Sequence, residues 1–183
     1  MKKLVAIMLM LICSQSFASG DAIELALATG PGSAEPHLAK GPDGAIVLSW
    51  LEPVGEKTQL KFSRLEAGTW SDPGMVAEGD NWFVNWADFP SVVPISGSLW
   101  AAHWLAKREG GVYAYDVAVS ISHDAGTSWS GAITPHGDNT ATEHGFVSLF
   151  PWQGGVGVVW LDGRKTSAAG GEHNHGESEG MTL

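Results

Sequence analysis

Three stretches of this chain concentrate residue types that do chemistry on sugars. Residues 80–88 carry Trp82, Trp86 and Asp88. Residues 138–144 end on Glu143 and His144. Residues 162–179 hold Asp162, Arg164, Lys165, Glu172, His173, His175, Glu177 and Glu179. Flat indole rings stack on sugar faces, while carboxylate and guanidinium groups fix hydroxyls and carboxylates. Trp82, Trp86 and Asp162 are accordingly candidate ligand-binding residues. Two other chemistries fit less well. Glu143 and His144 are an acid–base pair by type, but neighbours in a strand point to opposite faces. His173 and His175 with flanking glutamates are ligands of the kind zinc takes. One His-x-His pair is a thin metal set, so no metal or other cofactor is expected. Plain structural readings stand beside these: Arg164 paired with Asp162, Trp82 and Trp86 plugging a groove between layers, and residues 170–179 as a solvated loop.

Such residues need a scaffold, and residues 122–129 show what kind. They read Ser-His-Asp-Ala-Gly-Thr-Ser-Trp and fill every fixed position of Ser-x-Asp-x-Gly-x-x-Trp: Ser122, Asp124, Gly126 and Trp129. Asp124 is suited to accept backbone N–H bonds and close a turn. Gly126 takes a positive φ without steric cost. Trp129 opens the next strand and buries a large ring.

A repeat surrounds this hairpin. Segments starting at Pro36, Pro90 and Phe146 align without a gap to Trp50, Trp104 and Trp160, each followed by a leucine. Gly44, Gly97 and Gly154 fall mid-segment, where a turn belongs. Self-similarity at this period points to solenoids, propellers or arrays. Residues 45–50 and 156–160 are short apolar runs of the buried-strand kind, and 59–65 and 113–121 alternate as half-buried strands do. Residues 63–70 form a degenerate hairpin copy with Glu66 at the Asp position. Each unit reads as four antiparallel strands, a propeller blade, at about 34–80, 88–138 and 144–183, the last incomplete. A β-sandwich is the alternative, but it requires no repeated Trp-Leu register.

The octapeptide and the repeat resemble the sialidase-like (BNR/Asp-box) β-propeller family, an all-β fold. The resemblance implies that the chain is an N-terminal fragment of about two and a half blades from a parent of six. It places the Asp-box turns on one face and the chemistry-bearing connections on the other. Residues 146–165 are similar to the first catalytic blade of sialidases. By that register Arg164 contacts substrate and one of Glu172, Glu177 or Glu179 sits near the general acid; Asp88, from the connection over 80–88, is counted with these catalytic candidates. The family's first carboxylate-binding arginine falls on Val147, which cannot bind a carboxylate. Two functions are therefore expected from the resemblance: an exo-glycosidase of sialidase type lacking that arginine, or a non-catalytic propeller that binds glycan or protein.

Residues 1–18 have the layout of a signal peptide: Lys2 and Lys3, an apolar run over 4–13, and small residues Ser16 and Ala18 before the cut. The expected product, residues 19–183, is periplasmic or extracellular. It loses the chain's 1 cysteine. Removing Lys2 and Lys3 from the 10 basic residues leaves 8 against 20 acidic ones, a net charge of −12. Such a balance argues against nucleic acid and anionic membrane as partners. Nine tryptophans exceed what the cores of so few blades require, which leaves some for a binding surface.

Overall fold

The computed structural model describes residues 22–165 and 181–183. The signal-peptide segment and the candidates Glu172, His173, His175, Glu177 and Glu179 lie outside the described residues. Ten strands, and no helix among the described residues, form three antiparallel sheets in chain order.

In the first sheet β1 (Ala34–Lys40), β2 (Ile46–Val54) and β3 (Lys57–Glu66) form a meander. Its far edge is completed by β4 (Thr69–Trp70) and β5 (Gly74–Gly79), both paired with β3. The second sheet is β6 (Ser91–Pro94), β7 (Trp100–Lys107) and β8 (Tyr115–Ser122). The fourth strand expected of this unit is reduced to a single bridge from Val119 to Ile133, and Trp129, expected to open that strand, lies in none. The third sheet pairs β9 (His144–Trp152) with β10 (Gly155–Asp162), and Asp162 bridges to Thr182. The strands lie where the apolar runs placed them, with one shift. Tyr113 is outside β8, in the connection before it, and is 60% exposed.

Short turns set these registers. Val54 pairs with Lys57 across a two-residue loop whose first residue, Gly55, has φ 62°. Trp152 pairs with Gly155 across Gln153 (φ 48°) and Gly154 (φ 79°). Positive φ in such loops matches the right-handed twist of the flanking strands.

The middle sheet is buried on both faces, and strand alternation divides its side chains between two cores. Trp100, Ala102 and Trp104 of β7 meet Val47, Leu51, Leu60 and Phe62 of the first sheet. Leu105 of β7 joins Tyr115, Val117 and Val119 of β8 in packing against Val147, Val158 and Trp160 of the third. Three sheets are thus stacked face to face.

The hairpin at 122–129 closes as its residues require. Asp124 Oδ1 accepts from Ser128 N (2.8 Å) and Ser122 Oγ (2.8 Å), and Oδ2 accepts from Ser128 Oγ (2.6 Å). These donors hold the Asp124 carboxyl at about 2, below its ordinary value. Ala125 and Gly126 both have positive φ, 56° and 86°. Gly126 is also required by space, since a Cβ there would lie 2.8 Å from Phe62 Cζ. Trp129 then meets Phe62 edge-on at 6.0 Å, which ties the hairpin to the first sheet.

The degenerate copy over 63–70 has a register its sequence does not display. Ser63 Oγ donates to Ser71 O (2.6 Å), as Ser120 Oγ donates to Ser130 O (2.8 Å). Arg64 N donates to Ser71 Oγ (3.0 Å), as Ile121 N does to Ser130 Oγ (3.0 Å). Ser63 therefore answers to Ser120 rather than Ser122. The copy spans 8 positions where the full hairpin spans 10, and Leu65 stands at the place of Ser122, so Ala67 rather than the expected Glu66 falls at the Asp124 position.

Candidate functional site

The chemistry-bearing connections gather at the end of the sheets opposite this hairpin. Lys107 at the end of β7 pairs with Tyr115 at the start of β8. Tyr115 bridges Glu143, and Gly163 N donates to Glu143 O (2.8 Å). Asp162 at the end of β10 pairs with His144 at the start of β9. Residues 82–89 run along the same edge, with Trp82 bridging Ala106 and Phe83 N donating to Leu105 O (2.9 Å).

Two of the expected site residues share a pocket here. Trp86 and Asp88 line a cavity of about 210 Å³ together with Phe83, Tyr113, Tyr115, Glu143 and Phe146. Trp86 is 83% exposed, so its ring is presented to solvent. Phe83 stacks on Tyr115 at 4.1 Å and meets Tyr113 edge-on at 6.2 Å, which makes one aromatic wall. Asp88 is buried at the base. Its Oδ1 accepts from Phe146 N (2.8 Å), and the Tyr115 side chain acts as a second donor to the carboxyl. Gly145 makes this possible, because a Cβ there would lie 1.9 Å from Asp88 Oδ2. Burial raises the Asp88 carboxyl above its ordinary value, the Phe146 amide and the Tyr115 side chain offset part of that, and the nearby Glu143 adds to it. Burial raises Glu143 as well. No lysine or arginine lines the cavity among the described residues.

Trp82 is not on that surface. It is 7% exposed and stacks on Trp104 at 5.2 Å in the core. Its expected ligand role gives way to packing. Trp104 lacks an acid two residues on, where Ala106 stands, and the Trp82 backbone bridges to Ala106 while its ring covers the indole.

Arg164 and Asp162 lie together beside a second cavity of about 560 Å³, lined by Val158, Trp160, Lys165 and Thr182 among others. Arg164 grips Asp162 as a fork, Nε to Oδ1 at 2.8 Å and Nη2 to Oδ2 at 2.5 Å. Asp162 also accepts from Arg164 N (2.9 Å) and Trp160 Nε1 (3.2 Å). These donors, Arg164 foremost, hold its carboxyl at about 2 against the opposing effect of burial. Asp162, expected to bind ligand, thus spends its oxygens on its own neighbours. Trp50 and Glu52 repeat the arrangement in the first sheet. Trp50 Nε1 donates to Glu52 Oε2 (3.2 Å), and Lys61 lies 2.5 Å from Glu52 Oε1. Val147, at the register of the family's first arginine, packs into the core between the second and third sheets.

A further polar network joins His144 to His136 and Asp138, a grouping the sequence did not display. His136 and His144 stack in parallel at 3.9 Å and 7°. Asp138 binds both, through His136 Nδ1 (2.9 Å) and His144 Nε2 (3.2 Å), and accepts from Thr140 Oγ1. Burial raises the Asp138 carboxyl, but the Thr140 and His136 bonds and the charge of His144 outweigh it and leave it well below the ordinary range. Two ligand-type groups occur here, Asp116–His136–His144 and Asp138–His144–Asp162. Neither is well disposed for an ion. Parallel rings cannot both aim in-plane lone pairs at one ion, and the oxygens of Asp138 and Asp162 are already engaged. The network instead ties residues 135–143 between β8, β9 and β10. Its only sequence signal was His136-x-Asp138 in the same connection as His144. Glu143 and His144 diverge as strand neighbours should, the first to the aromatic pocket and the second into this network.

No protein-family model matches the chain, and no curated protein does either.

Proposed function

We propose that this chain is part of an exported, sialidase-like β-propeller that recognises glycans, and that the pocket of Trp86, Asp88, Tyr113 and Glu143 is its sugar site. The single observation carrying this reading is the pocket itself, where solvent-facing rings meet two carboxyls. Rings supply stacking surface and carboxylates supply acceptors for hydroxyls, the division of labour in a carbohydrate site. The cavity has room for one sugar ring or a compact headgroup. Three serially stacked antiparallel sheets and two hairpins with matching serine bonds favour blades of a propeller. Binding of a sialic acid carboxylate is not the reading favoured, because Val147 is core and Arg164 is forked onto Asp162.

A second reading adds catalysis. Asp88 and Glu143 are both raised by burial, as a carboxyl that donates a proton must be. It predicts glycoside hydrolysis by the parent that is lost in Glu143→Gln.

The test is titration of a panel of oligosaccharides followed by tryptophan fluorescence and calorimetry. Trp86→Ala is expected to weaken binding about tenfold, equivalent to roughly 1.4 kcal/mol, with an unchanged melting temperature. Binding by the variant equal to that of the parent, or no binding by the parent, overturns the proposal.

A further inference from the structure

We propose that the group seated in the aromatic pocket is an ammonium, so that the ligand is a basic, amine-bearing saccharide rather than a neutral or acidic one. This rests on the reading of that pocket as the sugar site. The walls are aromatic: Phe83, Trp86, Tyr113, Tyr115 and Phe146 all line it. Ring faces carry a negative quadrupole and attract cations that shed water easily. The base is anionic, with Asp88 and Glu143 lining the same cavity.

Asp88 gives the argument its direction. Its carboxyl is buried, with the Phe146 amide and the Tyr115 side chain as donors. A buried carboxylate met only by neutral donors remains costly. Gly145 leaves the space that lets Asp88 Oδ2 in. Among the described residues no lysine or arginine lines the cavity to supply the missing charge. Burial, and for Asp88 the proximity of Glu143, destabilises the ionised forms. An ammonium entering from solvent relieves both terms at once. A divalent metal ion fits worse, because most of the wall is ring carbon rather than oxygen. An acidic sugar fits worst, since it adds a third negative charge.

The probes are a glucosamine oligosaccharide, its fully N-acetylated counterpart and tetramethylammonium chloride, each titrated calorimetrically into the full chain at fixed salt. The amine form is expected to bind at least tenfold more tightly than the acetylated form, and tetramethylammonium to compete with it. Glu143→Gln is expected to remove about a factor of ten for the amine form with an unaltered melting temperature. This half-buried position is the better variant, because Asp88→Asn also disturbs the bond from the Phe146 amide. Equal or tighter binding of the acetylated form overturns the ammonium inference and leaves the glycan reading standing. Binding of tetramethylammonium with no saccharide bound overturns the glycan reading and sustains the ammonium site. No binding by any probe overturns both.

Discussion

The first and third sheets solve one problem with different parts. In each, the repeat tryptophan donates its indole N–H to an acid two residues on, at 3.2 Å, and a cation sits 2.5 Å from that acid. In the first sheet the cation is Lys61, directly across the ladder from Trp50. In the third it is Arg164, two residues along the same chain. The first node is sealed by the segment that precedes β1, with Gly30 N donating at 2.8 Å and Ser33 Oγ at 3.2 Å to Glu52 Oε2. The third borders a cavity and the buried His144. The recurrence teaches that an acid after the repeat tryptophan anchors the unit. Seen alone, Arg164 reads as a substrate arginine. Beside Lys61, it reads as the cation of a structural node.

The strongest way to break this comparison is Glu52→Ala. It strands the Trp50 N–H, the Gly30 amide and Lys61 together, so a loss of about 3 kcal/mol is expected in denaturant titration. Asp162→Ala is expected to cost about 2 kcal/mol, less because its arginine is partly solvated. If Asp162→Ala leaves stability unchanged but abolishes ligand binding, the two nodes are not equivalent and Arg164 returns to the site.

Acid is the mildest probe. Glu52 is lowered to about 2 by Lys61 and the Gly30 amide, and Asp162 to about 2 by Arg164. Both carboxyls titrate lower folded than unfolded. Their stabilisation is therefore complete above the ordinary values of 4.5 and 3.8 and is lost as pH falls toward about 2. A stability profile measured from neutral pH downward should bend below about 4.5. In Glu52→Ala the Glu52 share of that bend should vanish, and the Asp162 share should remain.

Local chemistry made much of the fold legible. Alternation placed the strands, and Ser122, Asp124, Gly126 and Trp129 specified a hairpin through bonds spanning only a few residues. The gap-free Trp-Leu register fixed corresponding positions in the three units. Legibility fell where a role depends on what arrives from another layer. Trp82 and Trp86 lie four residues apart in one irregular connection, with no periodicity to assign them. One covers Trp104 and the other faces solvent. Asp88 and Glu143 were each singled out as carboxyls, but nothing in the sequence paired them, because they come from different connections. The His136–Asp138–His144 network was missed because its residues are ordinary in sequence and meet only when three strand ends converge.

The double covering of the middle sheet has a consequence for how the molecule opens. Residues 100–105 of β7 are almost wholly buried, from Trp100 at 1% to Leu105 at 3%. Their amide hydrogens reach solvent only when a neighbouring sheet comes away. Deuterium should therefore enter β7 and β8 last, at the rate of global opening, and the outer strands earlier. Tyr115 sits at the border of these regimes, as the first residue of β8 and a wall of the pocket. Occupancy of the pocket would thus be written into the exchange rate of a single amide.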